Sequence, residues 1–200
     1  MTFWASCQRY KETDKIKALI SSEKYDLAIK EAQKESNLIN RFNYLGIIYS
    51  SQKEYAKAED YYKKALKKAP DNTKVLYNLG ILKLKTRKAK EALKIFKKIE
   101  KISSENINAK IKKAWAHYYL ASFSNSSATL KEIVRKFKNK ISTEQWKEIS
   151  ILYFKLKNYN ASAEAYDYYL SEAKKQNIKI DEKKAEKHLK KLRALRNQEL

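Results

Sequence analysis

An all-α fold of repeated helical hairpins is what this sequence predicts, and three observations carry the prediction. One 34-residue unit is read twice in succession: Phe42-x2-Leu45-Gly46-x2-Tyr49, Tyr55, Ala58, Tyr62, Ala65 and Pro70 are followed by Leu76-x2-Leu79-Gly80, Ala92, Phe96 and Ile99. The glycines, alanines and second aromatics each recur 34 positions later, the kind of period that stacked helical units show. Only 2 glycines and 1 proline occur in 200 residues, too few for the turns of a strand-rich sandwich or barrel. Lys, Ala, Leu and Glu, all good helix formers, dominate instead.

The elements follow in order. Ile16, Leu19 and Ile20 give a first helix and Tyr25, Ala28 and Ala32 a second, 30 residues before Tyr55, Ala58 and Tyr62, so a degenerate unit opens the array at residues 10–38. Two full units cover 39–72 and 73–106. Pro70-Asp71-Asn72 and Ser103-Ser104-Glu105-Asn106 end one helix and start the next. A third unit, 109–142, requires two extra residues before it, so that Trp115-Ala116-His117 aligns with Leu45-Gly46-Ile47. The register of its second helix is ambiguous by one residue, and Ser122–Ser127 reads as the turn between its helices. A fourth unit, 143–176, carries Trp146, Ile149-Ser150-Ile151-Leu152-Tyr153, Tyr159 and Tyr166. Asp181 then starts a helical stretch with Ala185, Leu189, Leu192 and Leu195 on one face, a capping helix at 177–200. The small residues Gly46, Gly80, Ala116 and Ser150 are expected where the first helix of a hairpin approaches the second most closely.

Residues 39–72 match W-x2-L-G-x2-Y…A-x3-F…P closely, and with that pattern the array resembles the tetratricopeptide repeat family over residues 39–176. The resemblance implies a right-handed superhelical solenoid with no catalytic residues and no cofactor. It also implies a protein partner, a peptide or a helix, held on the concave side by the first helices. Carried onto this sequence, the groove candidates are Asn43, Ile47 and Ser50; Tyr77, Ile81, Leu84 and Lys85; Lys113, His117 and Leu120; Lys147, Ile151, Phe154 and Lys155. Ile47, Ile81 and Ile151 recur just after the small residue, and an apolar strip edged by lysines suits hydrophobic anchors with acidic flanks. Packing of those isoleucines against a neighbouring unit is the competing account. Where some relatives clamp a C-terminal carboxylate with asparagines, Ile47 and Ile81 stand here.

Chemistry is excluded more firmly than binding is defined. Two histidines, His117 and His188, and one cysteine, Cys7, assemble neither a zinc set nor a nucleophile pair, and no phosphate-cradling glycine loop occurs. His188, among Lys187, Lys190 and Lys191, reads as solvated. Phe42, Tyr49, Tyr55, Tyr62, Trp115, Tyr119, Trp146, Tyr153, Tyr159 and Tyr166 fall on packing positions of the repeat, so core packing is their expected role.

The formal charge is +22, and only 6 of the 45 cations are arginines. Arginine forks onto guanine edges and phosphates, so a lysine excess argues against specific nucleic-acid recognition. The alternative function is charge-driven binding of nucleic acid or an anionic membrane through the lysine-rich helices. The central second helices carry Lys63, Lys64, Lys67, Lys68, Lys94, Lys97, Lys98 and Lys101. At residues 1–9, Phe3-Trp4-Ala5-Ser6-Cys7 weakly resembles the end of a bacterial lipoprotein signal, with Cys7 where lipid would attach. Six residues are too short for the whole signal, so a trimmed precursor or a plain terminal tail are both open. The bacterial cell envelope and the cytoplasm remain alternatives for location.

Overall fold

The computed structural model describes residues 15–196, and every regular element among them is helical. The chain divides into two compact units, residues 1–103 and 104–200. The first unit contains α1 (described over residues 15–21), α2 (Tyr25–Gln33), α3 (Leu38–Ser51), α4 (Tyr55–Lys68), α5 (Thr73–Lys85) and α6 (Ala89–Ile102). The second contains α7 (Ile107–Tyr119), α8 (Phe123–Phe137), a short 3-10 turn at Lys138–Lys140, α9 (Thr143–Lys155), α10 (Tyr159–Lys175) and α11 (Glu182–Arg196). Cys7 and the rest of residues 1–9 lie outside the described residues.

Hairpins form because each second helix buries a narrow stripe. In α4 that stripe is Ala58, Tyr62 and Ala65, and in α6 it is Ala92, Phe96 and Ile99, with lysines on the opposite face. Small residues let the paired backbone come close, and a large ring then fills the remaining space. A Cβ built on Gly46 would stand 2.5 Å from the Tyr62 ring, and one on Gly80 would stand 2.6 Å from the ring of Phe96. Both glycines are therefore fixed by the close approach of the two helices.

The second unit keeps the same approach by hydrogen bonding. Ser126 Oγ on α8 donates to the Ala114 carbonyl on α7 at 2.9 Å. Ser150 Oγ donates to the Ser162 carbonyl at 2.8 Å, and Ser162 Oγ donates to the Ser150 carbonyl at 2.9 Å. These serines are buried, so the bonds also satisfy hydroxyls that water cannot reach.

These contacts revise the third repeat. Each small residue lies 12 positions before its partner on the second helix, as in Gly46 with Ala58 and Gly80 with Ala92, and Ala114 stands in that relation to Ser126. Ala114, rather than Ala116, is thus the counterpart of Gly46 and Gly80. Second helices open at Tyr55, Ala89 and Phe123 in steps of 34, and Tyr159 follows after 36. The two extra residues belong to the segment around Lys138–Lys140, after the third hairpin and not before it. Ser124–Ser127, read above as a turn, are the opening turn of α8, because the hairpin turn is completed by Ala121 and Ser122.

Helix starts are marked by side-chain caps. Asn37, Asn72 and Asn106 cap α3, α5 and α7 by accepting backbone N–H groups, and Ser142 with Gln145 forms a capping box on α9. Each hairpin turn contains one residue in the left-handed region: Glu23, Lys53, Arg87, Ala121 and Lys157, with Asn177 leading toward α11. On α11, Ala185 and Leu192 are buried, and the helix packs along α10.

Candidate functional site

On α3 and α5 the residues proposed to line a groove separate into two groups. Asn43 is buried and accepts a hydrogen bond from Asn78 Nδ2 at 2.8 Å, which ties the two first helices together. Ser50 is buried beside the exposed Lys85, whose Nζ reaches Ser50 Oγ at 3.4 Å. Tyr77 sets its ring edge-on to Phe96 at 6.2 Å. Ile47, Ile81 and Leu84 are half-buried. Ile47 packs against the cores on both sides of α3, so the competing account of it as a packing residue has support.

In the second unit, Lys113, His117 and Leu120 are half-buried, and Lys147 is exposed with its ammonium 5.5 Å from the Tyr169 ring. Ile151 is 44% exposed, and Lys155 is exposed. Phe154 instead meets the rings of Tyr159 at 5.7 Å and His188 at 6.4 Å. His188 is wedged between Phe154 and Tyr166, 4.7 Å from the latter, and is not the solvated residue that its lysine neighbours suggest. Burial first, and Lys191 second, pull its pKa below the usual histidine value.

In the third repeat Trp115 packs against the core of the second unit as expected, and Tyr118 does so as well. With Ala114 as the small residue, Trp115 takes the position of Ile47, Ile81 and Ile151, and Tyr118 takes that of Ser50, Leu84 and Phe154. Tyr119, taken above as a packing ring, is 57% exposed. Counting 34 residues from Gly80 without any insertion would have found them.

Three of the first helices lack carboxylates, whereas α9 carries Glu144 and Glu148. The sequences of α3, α5 and α7 contain no Asp or Glu, while they carry Arg41, Lys74, Lys83, Lys85, Lys110, Lys112 and Lys113. Neighbouring elements neutralise the buried members. Lys83 pairs with Glu59 of α4 at 2.8 Å and Glu91 of α6 at 2.6 Å, and Lys112 is hydrogen-bonded to Glu148 of α9. Burial alone would depress the Lys83 ammonium, but hydrogen bonds to Glu59 and Glu91 outweigh it and hold its pKa above the ordinary value. Hydrogen bonds from Lys63 first and Lys83 next hold Glu59 down to about 2. The more accessible cations of these faces, such as Lys74 and Lys85, thus act without a carboxylate on their own helix.

Among the described residues no cluster of His, Cys, Asp or Glu is suited to hold a metal ion. No helix among them is long and apolar enough to cross a membrane. A cleft of about 710 Å³ lies between α10 and α11, lined by Leu170, Ile178, Ile180 and Leu189 among others, away from the first-helix positions.

Successive helical hairpins, closed by small-residue contacts and presenting lysine-edged first helices, define a helical-repeat interaction scaffold. Residues 40–72 and 61–94 each match a family profile described as tetratricopeptide repeat, so the stretch 40–94 carries tetratricopeptide repeats. Among curated proteins, none matches by sequence. Solved structures share the fold. A thermophilic TPR protein of Thermus thermophilus aligns with TM-score 0.71 at 12% identity, covering 92% of this chain and 97% of that one. PilF of Pseudomonas aeruginosa aligns with TM-score 0.65 at 15% identity, covering 82% and 75%. MamA of Desulfovibrio magneticus aligns with TM-score 0.60 at 14% identity, covering 84% and 96%.

Proposed function

We propose that the first-helix faces hold a segment of a partner protein, a peptide or a helix with apolar anchors and acidic flanks. The observation that carries this reading is the recurrence of a large apolar side chain directly after the small residue of every full hairpin, Ile47, Ile81, Trp115 and Ile151, the first three of them on helices that carry lysine or arginine and no carboxylate. Apolar anchors gain from burial, and acidic flanks gain from the lysines and the missing carboxylates. Ile81→Glu and Ile151→Glu are expected to weaken binding of apolar-acidic peptides selected on the wild-type chain by at least about tenfold, since each removes one buried anchor. Thermal melting, measured alongside, should move little. Loss of binding only together with unfolding would make these side chains core and sink the assignment.

A second reading has its own observation: Lys90, Lys94, Lys97 and Lys101 form one exposed stripe along α6. Charge-driven binding of nucleic acid or anionic lipid to it would weaken steeply with added salt, whereas the apolar face would tolerate salt. A lipid tether at Cys7 belongs to the same proposal and rests on the sequence alone. Sequencing the DNA upstream of the Met1 codon tests it: an in-frame basic and apolar stretch is expected, and an in-frame stop codon would remove the tether.

A further inference from the structure

The second helices of the first unit hold a positive charge that the chain leaves unneutralised. Six carboxylates occur between residues 54 and 102, and none is spare. Glu54 takes Lys57 at 2.5 Å, Asp60 takes Lys64 at 2.7 Å, Glu59 takes Lys63 and Lys83, Glu91 takes Lys83, and Asp71 takes Lys98 at 2.9 Å. Glu100, the sixth, has a partner as well. Lys67 and Lys68 at the end of α4, and Lys90, Lys94, Lys97 and Lys101 on α6, are all exposed, and no carboxylate among the described residues pairs with them.

The fold gathers these lysines. Lys98 Nζ donates to the Pro70 carbonyl at 2.8 Å and meets Asp71, which seats the end of α4 beside the middle of α6. Along α6 the four lysines recur at steps of four, three and four, opposite the buried Ala92, Phe96 and Ile99, so they form a row about 16 Å long. Like charges at these steps repel one another, and an anionic counter-surface would relieve them. The chemistry of the face separates the polyanions. Neither α4 nor α6 contains arginine, so nothing forks onto base edges. Their rings are engaged elsewhere: Tyr62 and Phe96 are buried, Tyr61 stacks on Tyr49, and Tyr55 packs against the core, which leaves no platform for bases. Ile102, following Lys101 at the end of α6, is 43% exposed, an apolar side chain suited to the boundary between headgroups and acyl chains.

We propose that this face of the first unit docks on an anionic membrane surface, with the lysine row of α6 lying along phospholipid headgroups. The inference rests on the second reading above, charge-driven binding, and commits it to lipid and to α6 with the end of α4. Lysines serve a headgroup layer as point charges that need no fixed geometry. The docking uses none of the first-helix positions assigned to a protein partner.

The test is co-sedimentation of the full, lipid-free chain with vesicles of equal parts phosphatidylserine and phosphatidylcholine, against phosphatidylcholine alone. Binding to the anionic vesicles only is expected, and it should fall as salt is added. Each lysine at the surface is worth about fivefold, so Lys94→Gln combined with Lys97→Gln should weaken binding by about 25-fold. Lys183→Gln with Lys187→Gln removes the same charge from exposed positions on α11 and should leave binding within about twofold, since screened net charge acts weakly. Circular dichroism of both double variants should match wild type. Equal losses from the two pairs, or anionic vesicles bound no better than neutral ones, would overturn the proposal. Duplex DNA bound through Lys94 and Lys97 while vesicles are ignored removes this inference and leaves the charge-driven reading standing. Binding to neither removes both.

Discussion

Gly80→Val is expected to destabilise the first unit by about 1–3 kcal/mol, the cost of forcing extra atoms into a packed core. The added Cβ would lie 2.6 Å from the Phe96 ring, and Phe96 is completely buried, so the ring has no solvent-facing escape. Gly80→Ala is the sharper probe because two effects oppose. Alanine in a helix interior gains about 1 kcal/mol over glycine, while the collision with the ring costs more than that. The expected outcome is a net loss in the denaturation midpoint at unchanged slope. Combining Gly80→Ala with Phe96→Leu should recover part of the loss, because the smaller side chain vacates the contested space, and the coupling is read from a double-mutant cycle. Stabilisation by Gly80→Ala alone would show that the helices have room to spare. Gly46 faces Tyr62 in the same way.

Lys83→Ala should cost about 1–3 kcal/mol, and Lys83→Met less than that, by the packing its stem retains, though still a loss because Glu59 and Glu91 are left without the ammonium. The lysine is 5% exposed and joins α5 to carboxylates on both flanking helices, Glu59 and Glu91. Alanine removes the partner and the packed stem together; methionine keeps most of the stem. Both carboxylates retain contact with water, 22% for Glu59 and 51% for Glu91, which keeps the penalty below that of a fully buried orphan charge. The same site predicts acid sensitivity. Glu59 is held down to about 2 against an ordinary value of 4.5, so its contribution is complete above pH 4.5 and disappears as pH falls through 4.5 toward about 2. Urea midpoints measured across that window should fall more steeply for wild type than for Glu59→Gln. Parallel curves for the two proteins would show that the pair contributes nothing.

The hairpins were legible because their signals are local and categorical. Gly46 and Gly80 each stand alone in a glycine-poor chain, and Asn72 and Asn106 are strong helix-start residues, so the first two full repeats declare themselves. The third repeat slipped by two because Ala114 and Ala116 are both small, and only the bond from Ser126 to the Ala114 carbonyl distinguishes them. Lys138-Asn139-Lys140, where the extra residues sit, is polar and carries no turn residue that would mark a break. Lys83 was invisible for another reason: one lysine among so many has no distinguishing neighbour in sequence, and its burial depends on Glu59, 24 positions upstream. His188 was misread by the same logic in reverse, since its sequence neighbours point to water while Phe154 and Tyr166 enclose it.

Left-handed turn residues occur six times in the described chain, and none of them is glycine. Lysine, arginine, glutamate, alanine and asparagine hold those positions, each tolerating a conformation that costs an L residue roughly 1–2 kcal/mol. Both glycines of the protein sit instead in ordinary right-handed helix, where their conformational freedom is a handicap. The chain thus ranks two uses of the same residue: absence of a side chain beside a buried ring comes before relief of an unfavourable φ. It follows that the turns hold an untapped margin of stability. Glycine at Lys53, Arg87 or Lys157 would strengthen a hairpin while leaving every first-helix side chain unchanged, which makes those turns the natural places to harden this scaffold.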